Sequence, residues 1–132
     1  MIGHNDAAPY NAVWDDNGLV GFVDWDMAGP LTLESDVAWM AFSWVPLHAL
    51  DVVETEGFTN FDDRRRRLEL FLGEYGIDLT ADELLETPRK RLLENIDVMR
   101  MTASSGDATY QRMLDLGIDL RLLRALEELN EV

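Results

Sequence analysis

A mainly α, α+β fold, in which one β-hairpin precedes a run of helices, is predicted by three features of this sequence. Asn17-Gly18 sits between two short apolar segments, and that pair is a strong hairpin signal because both residues tolerate the positive φ of a tight turn. From residue 36 onward apolar side chains recur at helical spacing. Thr80 and Glu83 stand three apart ahead of an apolar run, the reciprocal capping pattern of a helix start.

Taken in order, residues 11–14 read as a first strand, 15–18 as the turn and 19–23 as the returning strand. Residues 27–33 read as a loop punctuated by Gly29-Pro30. Residues 36–50 carry Val37, Trp39, Met40, Phe42, Trp44, Val45 and Leu47 with little polar face, as in a buried helix that ends or kinks near Pro46. The Trp39, Phe42 and Trp44 cluster is read as core rather than as a ligand cage. Residues 54–60 form a polar loop around Gly57, and residues 62–75 a helix that stops at Gly76. Arg64 to Arg67 open that helix. Four successive positions point in all directions around a helix, so one is expected to pair with the acidic residues before it and the rest to be solvated. The helix from Thr80 is expected to pause near Pro88 and to continue through Leu92, Ile96 and Met99. A last helix spans residues 108–129 with Leu114, Ile118, Leu122, Leu126 and Leu129 on one stripe.

The chain has 132 residues, 47% of them apolar, enough for one small domain with a real core. No stretch approaches a membrane-spanning length, and the residues before the first motif carry neither the basic region nor the apolar core of a signal peptide. A cytoplasmic protein is expected. Cysteine is absent and the histidines are only His4 and His48, which argues against disulfides, thiolate sites and zinc. The formal net charge of −15 argues against nucleic acid and anionic membranes as partners. Its distribution is uneven: residues 1–63 hold twelve Asp or Glu and neither Lys nor Arg.

The chemistry is written at the start of the chain. His4-x-Asp6 followed by Asn11 fits the pattern of a phosphotransferase catalytic loop, His-x-Asp-x4-Asn, with a metal-binding Asp shortly downstream. The hairpin returns Asp24 beside Asn11, joining residues thirteen apart. The fuller words His4-Asn5-Asp6-Ala7-Ala8-Pro9-Tyr10-Asn11 and Val23-Asp24-Trp25-Asp26, with Ala28-Gly29-Pro30 after them, resemble the aminoglycoside phosphotransferase family, also called the phosphotransferase enzyme family, a bacterial branch of the protein-kinase-like fold. Asp36-Val37-Ala38-Trp39 matches a further family word. The likeness covers the whole chain, densely over residues 2–46 and loosely after them.

The resemblance implies a partial protein-kinase-like C-terminal helical lobe as a single domain over residues 1–132. Residues 1–30 supply the catalytic loop, hairpin and metal-binding segment, and residues 34–132 the helical part. It implies Asp6 as the residue that orients an acceptor hydroxyl and takes its proton, Asn11 and Asp24 as ligands of Mg2+, and ATP as phosphoryl donor. Around these, His4 is read as a hydrogen-bonded loop brace and Asp36 as a helix N-cap or a brace under the loop. Asp26 is either a second metal ligand or a turn or ion-pair residue. Trp25 is expected in the core.

What the pattern lacks matters equally. The one lysine, Lys90, lies far downstream, and no glycine-rich phosphate loop occurs, so the nucleotide-gripping lobe of such an enzyme is missing and no nucleotide-binding residue is identifiable. An apolar surface is expected where that lobe would pack, near Trp39, Phe42 and Trp44. It would drive homodimer formation or docking of a chain that supplies the missing lobe. Three readings follow. One is a kinase of small-molecule alcohols that works only with a partner lobe. Another, preferred for the isolated chain, is an inactive, truncated remnant folded through dimerisation. The third is an acidic binding module for a divalent cation or a cationic small molecule.

Overall fold

Antiparallel pairing of residues far apart in sequence opens the computed structural model, which describes residues 1–132. Strand β1 (Ile2–Gly3) pairs with β4 (Gly29–Pro30), and between them β2 (Ala12–Asp15) and β3 (Gly18–Phe22) form the expected hairpin. The ladder matches Ala12 with Phe22 and Val13 with Gly21, then Trp14 with Leu19, so Val20 is an extra, bulged residue. The 27–33 segment is thus not all loop. Its two-residue strand escaped detection because Gly and Pro carry no strand pattern.

Six helices follow where four or so were expected: α1 (Leu33–Trp44), α2 (Leu50–Thr55), α3 (Arg64–Tyr75), α4 (Ala81–Ser104), α5 (Ala108–Asp115) and α6 (Ile118–Leu129). Two differences explain the count. Leu50–Thr55 is a separate short helix rather than the tail of α1 and the start of a loop. Gly117, at φ 71, breaks the last helix in a left-handed turn that only glycine adopts without strain, although the apolar stripe runs on across it. Pro88 does not interrupt α4. Pro88 is fully buried, as are Leu84, Leu85 and Leu92 around it, and that packing holds the helix through the missing backbone bond. The Thr80 capping box is present, with Glu83 N–H on the Thr80 hydroxyl and Thr80 N–H on Glu83 Oε2.

The core lies among α1, α3, α4 and α6: Val37, Ala41 and Phe42 meet Leu68, Leu84, Leu92 and Leu129. Of the four arginines of α3, Arg66 pairs with the acidic segment before it and stays exposed, as expected, whereas Arg64 is not solvated. Arg64 is buried, stacked 3.6 Å above the Phe61 ring, with Nε donating to the Phe61 carbonyl. Arg65 bridges Glu69 and Asp82, Arg66 pairs with Asp63, and Arg67 donates to the Thr59 carbonyl. No helix is long and apolar enough to cross a membrane.

Exposed apolar side chains lie on and after the hairpin, where Trp14 packs on Trp44, and also on the helices, as at Met101 and Leu120. Phe42 is buried and Trp44 half-buried, whereas Trp14, Val20, Val23, Trp25 and Met27, on and after the hairpin, are all more than half exposed. Trp25 is not a core residue. Its indole donates to the Phe22 carbonyl and one side of the ring lies against His4.

Candidate active site

The loop from His4 to Asn11 is fixed by its own backbone before any ligand is considered. Asp6 N–H donates to His4 Nδ1 at 3.3 Å, so the ring hydrogen sits on Nε2, which donates to the Val23 carbonyl at 2.9 Å. The Val23 N–H in turn donates to the Asn11 carbonyl at 2.9 Å. Val23, the residue after β3, is therefore held through both its N–H and its carbonyl by the loop, and Asp24 follows it. His4 is buried between Phe22 and Trp25, which is the geometry of a brace.

Asp36 braces the loop from below. Its Oδ1 accepts the Asn5 N–H at 2.9 Å, while the cap of α1 is Thr32, whose hydroxyl accepts from Ser35. Gly3 is required by this arrangement: a Cβ there would lie 2.9 Å from the Asp36 carboxylate. Asn5 takes φ 64 to turn its N–H towards Asp36, and Arg91 of α4 locks the turn by donating to Asn5 Oδ1 at 2.7 Å and to its carbonyl at 3.2 Å. The Arg91 guanidinium also lies 3.7 Å above the Trp39 ring. Burial pulls its pKa down, and the nearby Asp6 and Asp36 charges oppose that.

Asp6 and Asn11 are brought into direct contact. The buried Asn11 amide nitrogen donates to both the Asp6 carbonyl (2.9 Å) and Asp6 Oδ2 (3.0 Å), which leaves Asn11 Oδ1 as its acceptor atom. The other carboxylate oxygen of Asp6 accepts the Tyr10 hydroxyl at 2.8 Å. Burial first, then the hydrogen bond to Asp6 and the charges of Asp6 and Glu56, push the Tyr10 pKa up to about 12, so it remains a neutral donor. Asp24 is exposed at φ 60, and Asp26 is exposed as well. Left-handed backbone at a residue bearing a Cβ costs about 1 kcal/mol, least for Asn and Asp. Asn5, Asp24 and Asn60 are all of that type.

Asn11 Oδ1 and the Asp24 carboxylate are hard oxygen donors, and magnesium is commonly held by one or two carboxylates plus substrate phosphates. No group of three His, Asp or Glu side chains is close enough to hold a metal unaided.

Tyr10 and Arg91 were missed by sequence reasoning. Tyr10 lies four residues after Asp6 in the 3-10 turn Pro9–Asn11, and that spacing is the signal that was available. For Arg91, eighty-six residues from Asn5, there was none. Against the loop lies a cavity of about 500 Å³, with Tyr10, Trp39 and Phe42 in its wall.

Comparison with known proteins agrees with this geometry. The phosphotransferase enzyme family (APH) matches residues 1–67, which hold the loop, both small sheets and α1. The trifolitoxin immunity protein of Rhizobium leguminosarum bv. trifolii is 31% identical over 113 residues, covering 82% of this chain and 43% of that protein. The chain thus spans less than half the length of that curated relative. No solved structure matches it. With the family matching residues 1–67, half of the chain, this protein belongs to the phosphotransferase enzyme family.

Proposed function

We propose that the chain is the acceptor-side portion of a small-molecule kinase, transferring a phosphoryl group from ATP to an alcohol only when a nucleotide-gripping lobe is supplied. The observation that carries this reading is the Asp6–Asn11 contact, one amide bonded to both the carbonyl and the carboxylate of the same residue. It fixes the Asp6 carboxylate at the centre of the loop, where it orients the acceptor hydroxyl and receives its proton. Asn11 and Asp24 would hold Mg2+, which when bound with ATP offsets the charge of the phosphates. His4, Asp36 and Arg91 keep the loop in shape and touch no reacting atom.

Two facts support a further lobe packed on this chain. A compact monomer of 15.0 kDa exposes about 7,000 Å². This chain exposes 8072 Å², an excess comparable to one partner's share of an ordinary interface, about 800 Å². One exposed apolar face lies on residues 1–30, where every formal side-chain charge is negative. Stacking two such faces in a homodimer would set like charges together, so a partner with a cationic rim is favoured.

The test joins the chain to the remaining part of the trifolitoxin immunity protein and follows phosphate transfer from Mg-ATP to a panel of alcohols. Turnover by the chimera, none by the isolated chain, and loss in Asp6→Ala and in Asp24→Ala is the expected result. Turnover that survives both changes contradicts the assignment. A second reading draws on that relative's name: an immunity function exercised by binding alone, with the site as an acidic ligand module or an inactive remnant. A chimera that binds ligand yet never turns over would favour it.

A further inference from the structure

The cavity beside the loop has a composition of its own. At about 500 Å³ it is within the range of small-molecule sites. Trp39 offers it no ring face: one is stacked on Phe42 at 4.8 Å and 9°, and the other is covered by Arg91. Phe42 is in turn covered by His48. The open aromatic surfaces are Tyr10 and Phe58, neither of which stacks on another ring.

The polar groups in the wall come from Tyr10, Ser43, His48, Glu56 and Asn95. Ala49 N–H occupies His48 Nδ1, and burial lowers the pKa of the ring, so Nε2–H is the free donor of a neutral imidazole. Glu56 is the one charged residue lining the cavity, and its carboxylate enters no salt bridge. Tyr10 forms part of the wall while its hydroxyl sits on Asp6 Oδ1, the position an acceptor hydroxyl would take.

From these observations we propose that the cavity binds a compact, largely apolar alcohol or phenol bearing a single positive charge, and that the hydroxyl of this ligand displaces that of Tyr10 from Asp6. The ammonium group faces Glu56, and the body of the ligand lies against Phe58 and the Tyr10 ring. A polyaminated sugar is refused, because one carboxylate leaves its further ammonium groups desolvated and unpaired beside apolar walls. The exchange at Asp6 rests on the function proposed above; the occupancy of the cavity does not.

Equilibrium binding by calorimetry separates the two, since it needs no nucleotide. The probes are tyramine, its neutral isostere 4-propylphenol, phenethylamine, which lacks the hydroxyl, and neomycin. Tyramine is expected to bind one to one, and Glu56→Gln to weaken it about threefold while leaving 4-propylphenol unchanged. Tyr10→Phe removes the competing hydroxyl, so it is expected to tighten tyramine about fivefold and leave phenethylamine unaltered. Ser43→Phe, which fills the cavity, should abolish binding in a protein whose circular dichroism is unchanged. The site is overturned by failure of tyramine to saturate at about 10 mM, by neomycin binding more tightly than tyramine, or by indifference to both Glu56→Gln and Ser43→Phe. If Tyr10→Phe weakens tyramine or leaves it unmoved, the exchange at Asp6 is wrong and the cavity stands alone. Sound binding with a chimera that never turns over would overturn the kinase reading and not the site.

Discussion

Residues 64–132 and residues 1–30 solve opposite problems. In the helical part, charges are tied to one another. Arg100 pairs with the buried Asp119, Arg124 with Glu128, and Arg89 with Glu86 and the Leu129 carbonyl. Large apolar side chains such as Leu68, Leu92 and Leu129 are wholly enclosed. In the amino-terminal part, Asp24 and Asp26 are exposed, indole rings face solvent, and two non-glycine residues, Asn5 and Asp24, hold left-handed backbone. Strain of that kind costs stability and persists where surrounding structure imposes it, commonly at functional sites. Stability is thus lodged in the helices and chemistry in the loop and hairpin, with Arg91 crossing from one to the other.

That contrast can be broken first at its strongest point. Leu92→Ala should lower the unfolding free energy by about 3 kcal/mol in urea titration. Val20→Ser, on the bulge of the hairpin, should change it by less than about 0.5 kcal/mol while weakening the docking of a supplied nucleotide-gripping lobe in sedimentation. Equal losses from the two substitutions would mean that the hairpin is part of the stabilising core.

Arg91→Ala tests the joint between the two parts. It removes two donors from Asn5 and the cation over Trp39, and should cost about 2 kcal/mol. The amide of Asn5 should then exchange its hydrogen faster while those of α6 stay protected. Uniform loss of protection would show one cooperative unit rather than a scaffold carrying a loop.

The smallest effect is a pH dependence. Burial holds the folded-state pKa of His48 below its ordinary 6.5, so below that pH the unfolded chain binds more protons than the folded one. The stability due to the neutral ring is complete above pH 6.5 and is lost as pH falls towards the folded value. Wild type should therefore lose more stability than His48→Gln between about pH 7 and 5, before most carboxylates titrate. Parallel curves for the two proteins would place His48 in solvent.

How much of this was legible in the sequence depended on how local each signal was. Asn17-Gly18 gave the hairpin, Thr80 and Glu83 the start of α4, and Gly76 the end of α3, each from chemistry within a few residues. The His4–Asn11 loop was readable for the same reason. The pairing of Ile2–Gly3 with Gly29–Pro30 was not, because it is long-range and runs through residues that carry no strand pattern. The break at Gly117 was hidden by an apolar stripe that continues in register across it. Trp25 was misplaced because an aromatic between two aspartates looks like core, whereas its ring covers His4 at the surface. The Tyr10 hydroxyl on Asp6 and the arginine beneath Asn5 are products of the folded chain, and the composition of the cavity emerges only when α1, α4 and α6 are packed together.

In the reading proposed above, Asn11 and Asp24 form half of a magnesium–phosphate site that needs both components. Thermal unfolding of the purified chain with Mg2+, with ATP and with the two together tests it most directly. At ten times the dissociation constant a ligand adds about 1.4 kcal/mol, and for a domain of this size that raises Tm by about 4 °C. Such a rise is expected with Mg2+ and ATP together, neither alone producing it, and is expected to be lost in Asp24→Asn. A rise with Mg2+ alone would make the site an ion-binding module. The absence of any rise, or one unchanged in Asp24→Asn, would contradict the assignment of Asp24.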